Sequence, residues 1–318
     1  MAGRKSAMEG VGMTMNETMR NLLEQEKLSV KLRFTIDLAN KAGEVIVASR
    51  GGKVTQKEGI SNIQTEGDLN SERVIVDGIS AQFPQDSILS EETKTEIENP
   101  LDIARLWVID PIDGSANYAH GIDEVWVSVG QVRFGKGHIG VAHNPFQRKT
   151  YFAESGKGTY ILQPKTPGSD AMELKRIQVG NRTELKDATL ETSMSYDAYQ
   201  SRSHNIIKLY LSFLGMDVRP REIGSSVGQL CRVAAGMSDI HMHTGLKPWD
   251  YAAPSVILAE AGAVMRRADG SEFNPLLHRD NISGNAVLVE KLVEAIGEIK
   301  GNKEFSDFIA QQIEDFTV

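Results

Sequence analysis

Residues 107–118 run Trp107-Val108-Ile109-Asp110-Pro111-Ile112-Asp113-Gly114-Ser115-Ala116-Asn117-Tyr118. Leu106 to Ile109 have the length and composition of a buried strand. Pro111 disfavours helical geometry at Asp110, so the strand is expected to end there in an extended corner. Asp113 follows on the same turn, and Gly114 lets the backbone approach a ligand closely. A helix opening at Ser115 would offer free N–H groups to an anion. Two carboxylates and an anion cradle therefore share one corner.

Working outward, Ser87 to Ser90 form a second short strand that ends in Glu91 and Glu92, so acids gather at strand ends. Crowded acids repel, and one must hold a proton unless a cation neutralises them. If Glu91, Asp110, Asp113 and Asp250 converge, the donor set is all oxygen, which suits Mg2+ better than zinc or iron. Two such ions about 4 Å apart stabilise the attacking and leaving oxygens of a displacement at phosphorus. The reaction class this suggests is phosphoryl hydrolysis.

The flanking chain supplies the scaffold. Leu28, Leu32, Ile36, Ala39, Ala42 and Ile46 form one helical stripe that stops near Gly51 and Gly52. Ile75, Ile79 and Phe83 form another between Asp68 and Pro84, with Asp68 at its start. Val125–Phe134, His138–Ala142, Thr150–Ala153 and Gly158–Leu162 read as an antiparallel sheet. The Gly135–Gly140 match to a dinucleotide fingerprint lies between two strands and is read as a turn. Gln163–Ala171, with two prolines and a glycine, is expected as an exposed loop that divides the chain. Beyond it, Leu190–Met194 reads as a strand, and Ser203–Leu214, Val227–Ala235 and Tyr251–Ala261 as helices. Residues 1–24 are expected to be a mobile extension, 25–180 an N-terminal α+β half with most metal ligands, and 181–318 an α/β half that completes the site.

Composition narrows the class. The 318 residues are 40% hydrophobic and 25% charged, ordinary for a globular protein. With 35 basic and 43 acidic residues the net charge is −8, so neither nucleic acid nor a membrane is the expected partner. No segment has signal-peptide or membrane-spanning character. The lone Cys231 fits a reducing compartment, and a cytoplasmic address is expected.

The sequence resembles the inositol monophosphatase family of Mg2+-dependent, lithium-sensitive phosphatases. The resemblance runs through Ala42-Gly43-Glu44-Val45, Lys57 with Asp68, Ser90-Glu91-Glu92-Thr93, residues 110–118, Trp249-Asp250-Tyr251-Ala252-Ala253 and Glu260-Ala261-Gly262, in the family's order. It implies a layered α-β-α-β-α sandwich of the inositol monophosphatase and fructose-1,6-bisphosphatase type. It also implies two or three Mg2+ ions. Glu91, Asp110 and the Ile112 carbonyl would hold the first; Asp110, Asp113 and Asp250 the second; Glu91 with waters a third. Asp68 and Ser115 would orient and deprotonate the attacking water, the N–H groups of Gly114 and Ser115 would bind phosphate, and Lys57 would be the active-site lysine. A homodimer acting on a small phosphorylated substrate is implied, with myo-inositol 1-phosphate the first expectation.

Departures from the family pattern leave the substrate open. Ser115 stands where threonine is usual, Ser90 and Pro254 replace common glycines, and His243 occupies the place of a glutamate that contacts ring hydroxyls. Ser226 and Asp239 sit where the family places other leaving-group contacts. The alternatives are histidinol phosphate, a nucleotide 3′-phosphate such as PAP, fructose 1,6-bisphosphate, or a regulatory binding role. Glu92, Glu66 and Glu96 read as solvated surface acids. Ser115 doubles as a helix cap, His241 and His243 lack the further ligands zinc needs, and Cys231 reads as an inert buried thiol.

Overall fold

The computed structural model describes residues 26, 28–57, 63–93, 95, 97–192 and 217–301. The expected extension over 1–24, the helix over Ser203–Leu214, the end of the strand at Met194 and the surface acid Glu96 lie outside them.

Helix α1 (Val30–Ala48) starts at Ser29, whose hydroxyl accepts from Leu32 N. Its stripe of Leu32, Ile36, Ala39, Ala42 and Ile46 is buried, as the spacing requires. Strands β1 (Val54–Gln56) and β2 (Ile63–Thr65) form a small hairpin that leads into α2 (Glu66–Gln82). Thr65 and Asp68 cap α2 reciprocally, which fixes the Asp68 carboxylate in the first turn.

Seven strands form the larger sheet, in the order β3-β4-β5-β6-β7-β8-β9. They are β3 (Ser87–Ser90), β4 (Leu106–Asp113), β5 (Trp126–Arg133), β6 (Lys136–Asn144), β7 (Lys149–Glu154), β8 (Thr159–Pro164) and β9 (Met172–Ile177). Only β3 and β4 pair in parallel. The loop expected to divide the chain instead joins β8 to β9 within this sheet. The second sheet begins only at β10 (Thr189–Thr192). Its order is β11-β10-β12-β14-β13, with β11 (Arg219–Arg221), β12 (Ile240–His243), β13 (Val264–Arg266) and β14 (Asn281–Gly284).

The layers follow from which face each strand makes apolar. Trp107, Ile109, Val127, Val129, Ile139, Val141 and Phe152 pack on α1 and α2. The opposite face, with Ala142, Tyr151, Ala153 and Ile161, packs on α4 (Ser226–Ala234) and α5 (Pro248–Glu260) through Leu230, Cys231, Tyr251 and Ile257. Beyond these helices lies the second sheet, whose Leu190, Ile240, Met242 and Ile282 turn away to meet α6 (Ala286–Gly301). The architecture is the layered α-β-α-β-α sandwich.

Helix α5 rests on the larger sheet almost backbone to backbone. A Cβ on Gly130 would stand 2.7 Å from Ala253 N, and one on Gly140 would collide with the Ala253 carbonyl. Glycine in the sheet and the Ala252-Ala253 pair in the helix together permit this approach, and it sets where Asp250 stands above β4.

Candidate active site

Strand β4 does not stop at Asp110. It runs on to Asp113, and its register with β5 shifts between those two residues. Pro111, which has no N–H to give a ladder, sits in that irregularity. The Asp110 carboxylate turns back to accept from Ile112 N at 3.0 Å. Gly114 follows with φ 92°, and a Cβ there would lie 2.8 Å from the Glu124 carbonyl, so only glycine fits. The five-residue helix α3 (Ser115–Ala119) then begins at Ser115, capped by Gly114 rather than by a serine side chain.

Asp113 points at the start of α4. It accepts from the Ser225 hydroxyl, from Val227 N at 3.0 Å and from Ser226 N at 3.3 Å. Asp250, in the first turn of α5, accepts from Lys247 N at 2.7 Å. One carboxylate oxygen from each of Asp110, Asp113 and Asp250 lies within 4.8 Å of the others. Burial pushes the Asp110 and Asp250 carboxyls well above the usual range, and repulsion from neighbouring acids adds to it. Burial raises Asp113 to about 6, against the pull of Ser225 and the two α4 N–H groups.

Glu91 is also raised by burial, to about 7, with Lys57 working in the other direction. Lys57 Nζ lies 3.3 Å from Glu91 Oε1 and 2.5 Å from Glu92 Oε1. Gln64 donates to the other Glu92 oxygen. Glu92 is therefore not the solvated acid the sequence suggested: its side chain is 2% exposed, because Lys57 and Gln64 satisfy it in place of water. Glu66, by contrast, is exposed.

Asp68 is buried and holds Ser115. The Ser115 hydroxyl lies 2.8 Å from Asp68 Oδ1 and 2.9 Å from the Ile112 carbonyl, while Thr65 N and its hydroxyl donate to Asp68 Oδ2. Burial raises the Asp68 carboxyl in spite of these donors.

These groups face a cavity of about 720 Å³. Glu91, Asp110, Asp113, Gly114, Ser115 and Asp250 line it, as do Ile112, Lys247, Trp249 and Arg279. Lys57 and Asp68 reach it through Glu91 and Ser115. Among the described residues, Ser226, His243 and Asp239 do not line it. Ser226 is buried and meets Asp113 through its backbone. His243 is buried, with Nδ1 accepting from Gly245 N. Asp239 accepts from Thr189 N and pairs with Arg182. Cys231 is buried, and desolvation raises its thiol.

Sequence reasoning missed Thr65, Ser225, Lys247 and Arg279. Thr65 and Ser225 were accessible as hydroxyl residues just before a helix. Lys247 stands three residues before Asp250, but Arg279 lies in an irregular stretch with no motif to mark it.

A layered α/β scaffold that gathers carboxylates at a strand end beside a serine and an aspartate defines a metal-dependent phosphatase. The chain matches the model of the inositol monophosphatase family over residues 6–310. It belongs to that family, and is a phosphoric monoester hydrolase. It is 30% identical over 279 residues to the fructose-1,6-bisphosphatase/inositol-1-monophosphatase of Thermotoga maritima, covering 85% of this chain and 96% of that protein. Human inositol monophosphatase 1 is 27% identical over 282 residues, covering 86% and 96%. The solved structure of a Thermotoga maritima IMPase superposes with TM-score 0.72 at 28% identity, covering 86% of this chain and 99% of that one. The extragenic suppressor protein suhB of Bartonella henselae gives 0.73 at 26%, covering 84% and 98%. No helix among the described residues is long and apolar enough to cross a membrane.

Proposed function

We propose that the chain hydrolyses a small phosphorylated polyol in a Mg2+-dependent reaction, with myo-inositol 1-phosphate the first candidate. The observation that carries this reading is the convergence of Asp110, Asp113 and Asp250 oxygens beside the Ser115–Asp68 pair. The donor set fits a hard divalent cation: it is all oxygen, and burial makes three simultaneous negative charges costly without one. Glu91, Asp110, the Ile112 carbonyl, Asp113 and Asp250 would hold two or three ions. When bound, these ions neutralise the carboxylates and polarise the phosphoryl oxygens.

The chain's own groups do the rest. Ser115 Oγ, held between Asp68 and the Ile112 carbonyl, orients a water at the cavity wall. Asp68, whose affinity for a proton burial has raised, receives the water's proton through Ser115. The N–H groups of Gly114 and Ser115 bind the phosphate, and Asp113 and Asp250 flank the leaving group. Lys57 holds Glu91 in place and favours its charged form against the effect of burial. Ser226 acts behind this wall, through the backbone bond that fixes Asp113. A homodimer at a cytoplasmic address belongs to the same proposal.

The test is inorganic phosphate release from inositol, histidinol, nucleotide and fructose phosphates, with Mg2+, with EDTA, and with Mg2+ plus lithium. Mg2+-dependent release, abolished by EDTA and strongest on inositol 1-phosphate, is expected. Release that persists in EDTA overturns the metal assignment.

A further inference from the structure

We propose that the cavity between the β6–β7 turn and the β8–β9 loop is a second ligand site, built for an organic phosphate that it binds without cleaving. The proposal stands apart from the phosphatase reading, because this cavity shares no lining residue with the carboxylate-lined one.

The cavity measures about 480 Å³, with residues 146–149 on one side and 163–168 on the other. Arg148, Lys149 and Lys165 line it and no acid does, in a chain whose net charge is −8. Neither lysine forms an ion pair among the described residues. Glu173, which attracts Lys165 from further off, is paired with Lys175 at 2.6 Å. Arg148 reaches Asp170 at 3.2 Å, but the Asp170 side chain is 95% exposed, and such a surface pair contributes little. Arg148 Nε is buried and has no hydrogen-bond partner, a cost that an accepting ligand would remove.

The backbone gives an independent reason. Arg148 has φ 53°, in the left-handed region that glycine and asparagine enter easily and a long side chain does not. The turn would close more readily with asparagine, so what arginine brings is its guanidinium. Nη1 donates to the Ser169 carbonyl at 3.2 Å and Nη2 reaches the Met172 sulfur at 3.8 Å, which fastens the group to the opposite loop and leaves Nε for a ligand. That loop is itself tied, by Lys165 N to the Ala171 carbonyl at 2.8 Å and by Ser169 N to the Thr166 carbonyl at 3.0 Å.

The lining names the ligand class. Three cations around one cavity suit a doubly charged phosphate better than a single carboxylate. Phe146, Pro164 and Pro167 add apolar surface for an organic body, and the volume suits a small molecule. No carboxylate or histidine lines the cavity, so it offers neither a metal ligand nor a general base, and an ester held there stays whole.

Calorimetry in EDTA, which keeps divalent cations out of the carboxylate-lined cavity, tests the site with phenyl phosphate, inorganic phosphate and benzoate. Phenyl phosphate is expected to bind at one site per chain, about tenfold more tightly than either of the others. Lys165→Gln, which removes a side chain with no hydrogen bond or ion pair among the described residues, is expected to weaken it about tenfold with Tm unchanged. Arg148→Asn is expected to weaken it at least as much, on a backbone that asparagine accepts. Arg279→Gln, in the other cavity, is expected to leave it unchanged. Absence of saturable binding, binding that Lys165→Gln and Arg148→Asn leave intact, or binding lost in Arg279→Gln instead overturns the site. Benzoate at equal or higher affinity overturns the phosphate class, and inorganic phosphate at equal affinity overturns the organic one.

Discussion

The Ser115 hydroxyl lies 2.8 Å from the carboxylate of Asp68, a residue 47 positions earlier in the chain. Asp68 comes from the first turn of α2 and Ser115 from the start of α3, and their contact joins two helices that strands β3 and β4 separate in the chain. Ser115→Ala is expected to lower kcat by about 10²–10⁴, the range of a lost general acid–base group. Ser115→Thr keeps the hydroxyl and should retain most of the activity. Steady-state phosphate release from the two variants checks this, and an active alanine variant would remove Ser115 from the chemistry.

Asp113 serves two purposes, which makes its replacement informative. Asp113→Asn is expected to abolish turnover. It also weakens the charge-assisted bonds to Ser225 and α4, worth about 1 kcal/mol at a helix start, while relieving repulsion within the cluster. Asp250→Asn loses turnover too. Melting curves should show shifts of only a few degrees in both; collapse of either fold would contradict this balance.

The raised carboxyls predict the pH dependence of the metal-free fold. Glu91 at about 7 and Asp113 at about 6 bind protons more tightly folded than unfolded, where their ordinary values are 4.5 and 3.8. Their stabilisation is complete below the unfolded values and is lost as pH rises through the folded ones. In EDTA, Tm should fall between about pH 4 and pH 8, and saturating Mg2+ should remove most of the fall. A metal-free Tm that climbs over that interval would falsify the assignment.

Gly140→Ala places a methyl group against the Ala253 carbonyl, and the helix must shift to admit it. A loss of about 1–3 kcal/mol is expected, with a lower kcat because Asp250 moves with α5. Chemical denaturation and phosphate release measure the two effects. Wild-type stability would mean that the helix seat is looser than its contacts imply.

Much of this was legible from residue types alone. Leu32 to Ile46 and Ile75 to Ile79 carry helical periods because one face of each helix is buried. The alternating run from Val125 to Leu162 gives four of the seven strands of the larger sheet. The corner at Asp110–Ser115 could be read from Pro111 and Gly114, although the strand continues through it as a bulge. Three things were hidden because they depend on distant partners. Glu92 looks like any surface acid until Lys57 and Gln64 are seen beside it. His243 stands near Asp250 in sequence, yet the alternation of β12 turns it into the interior. Arg279 is marked by no local pattern, and only the folding of the chain brings it to the cavity.

The seat of α5 on Gly130 and Gly140 has a consequence for how the chain holds together. Asp110 and Asp250 are separated by about 140 residues, and a cation held by both would tie that loop shut, a clasp whose entropic benefit grows only slowly with loop length. Unlike a disulfide, the clasp opens whenever the ion leaves. With the proposed ion bound there, its supply would act on the lifetime of the folded chain as well as on its turnover, and a cell short of the cation would lose protein along with activity.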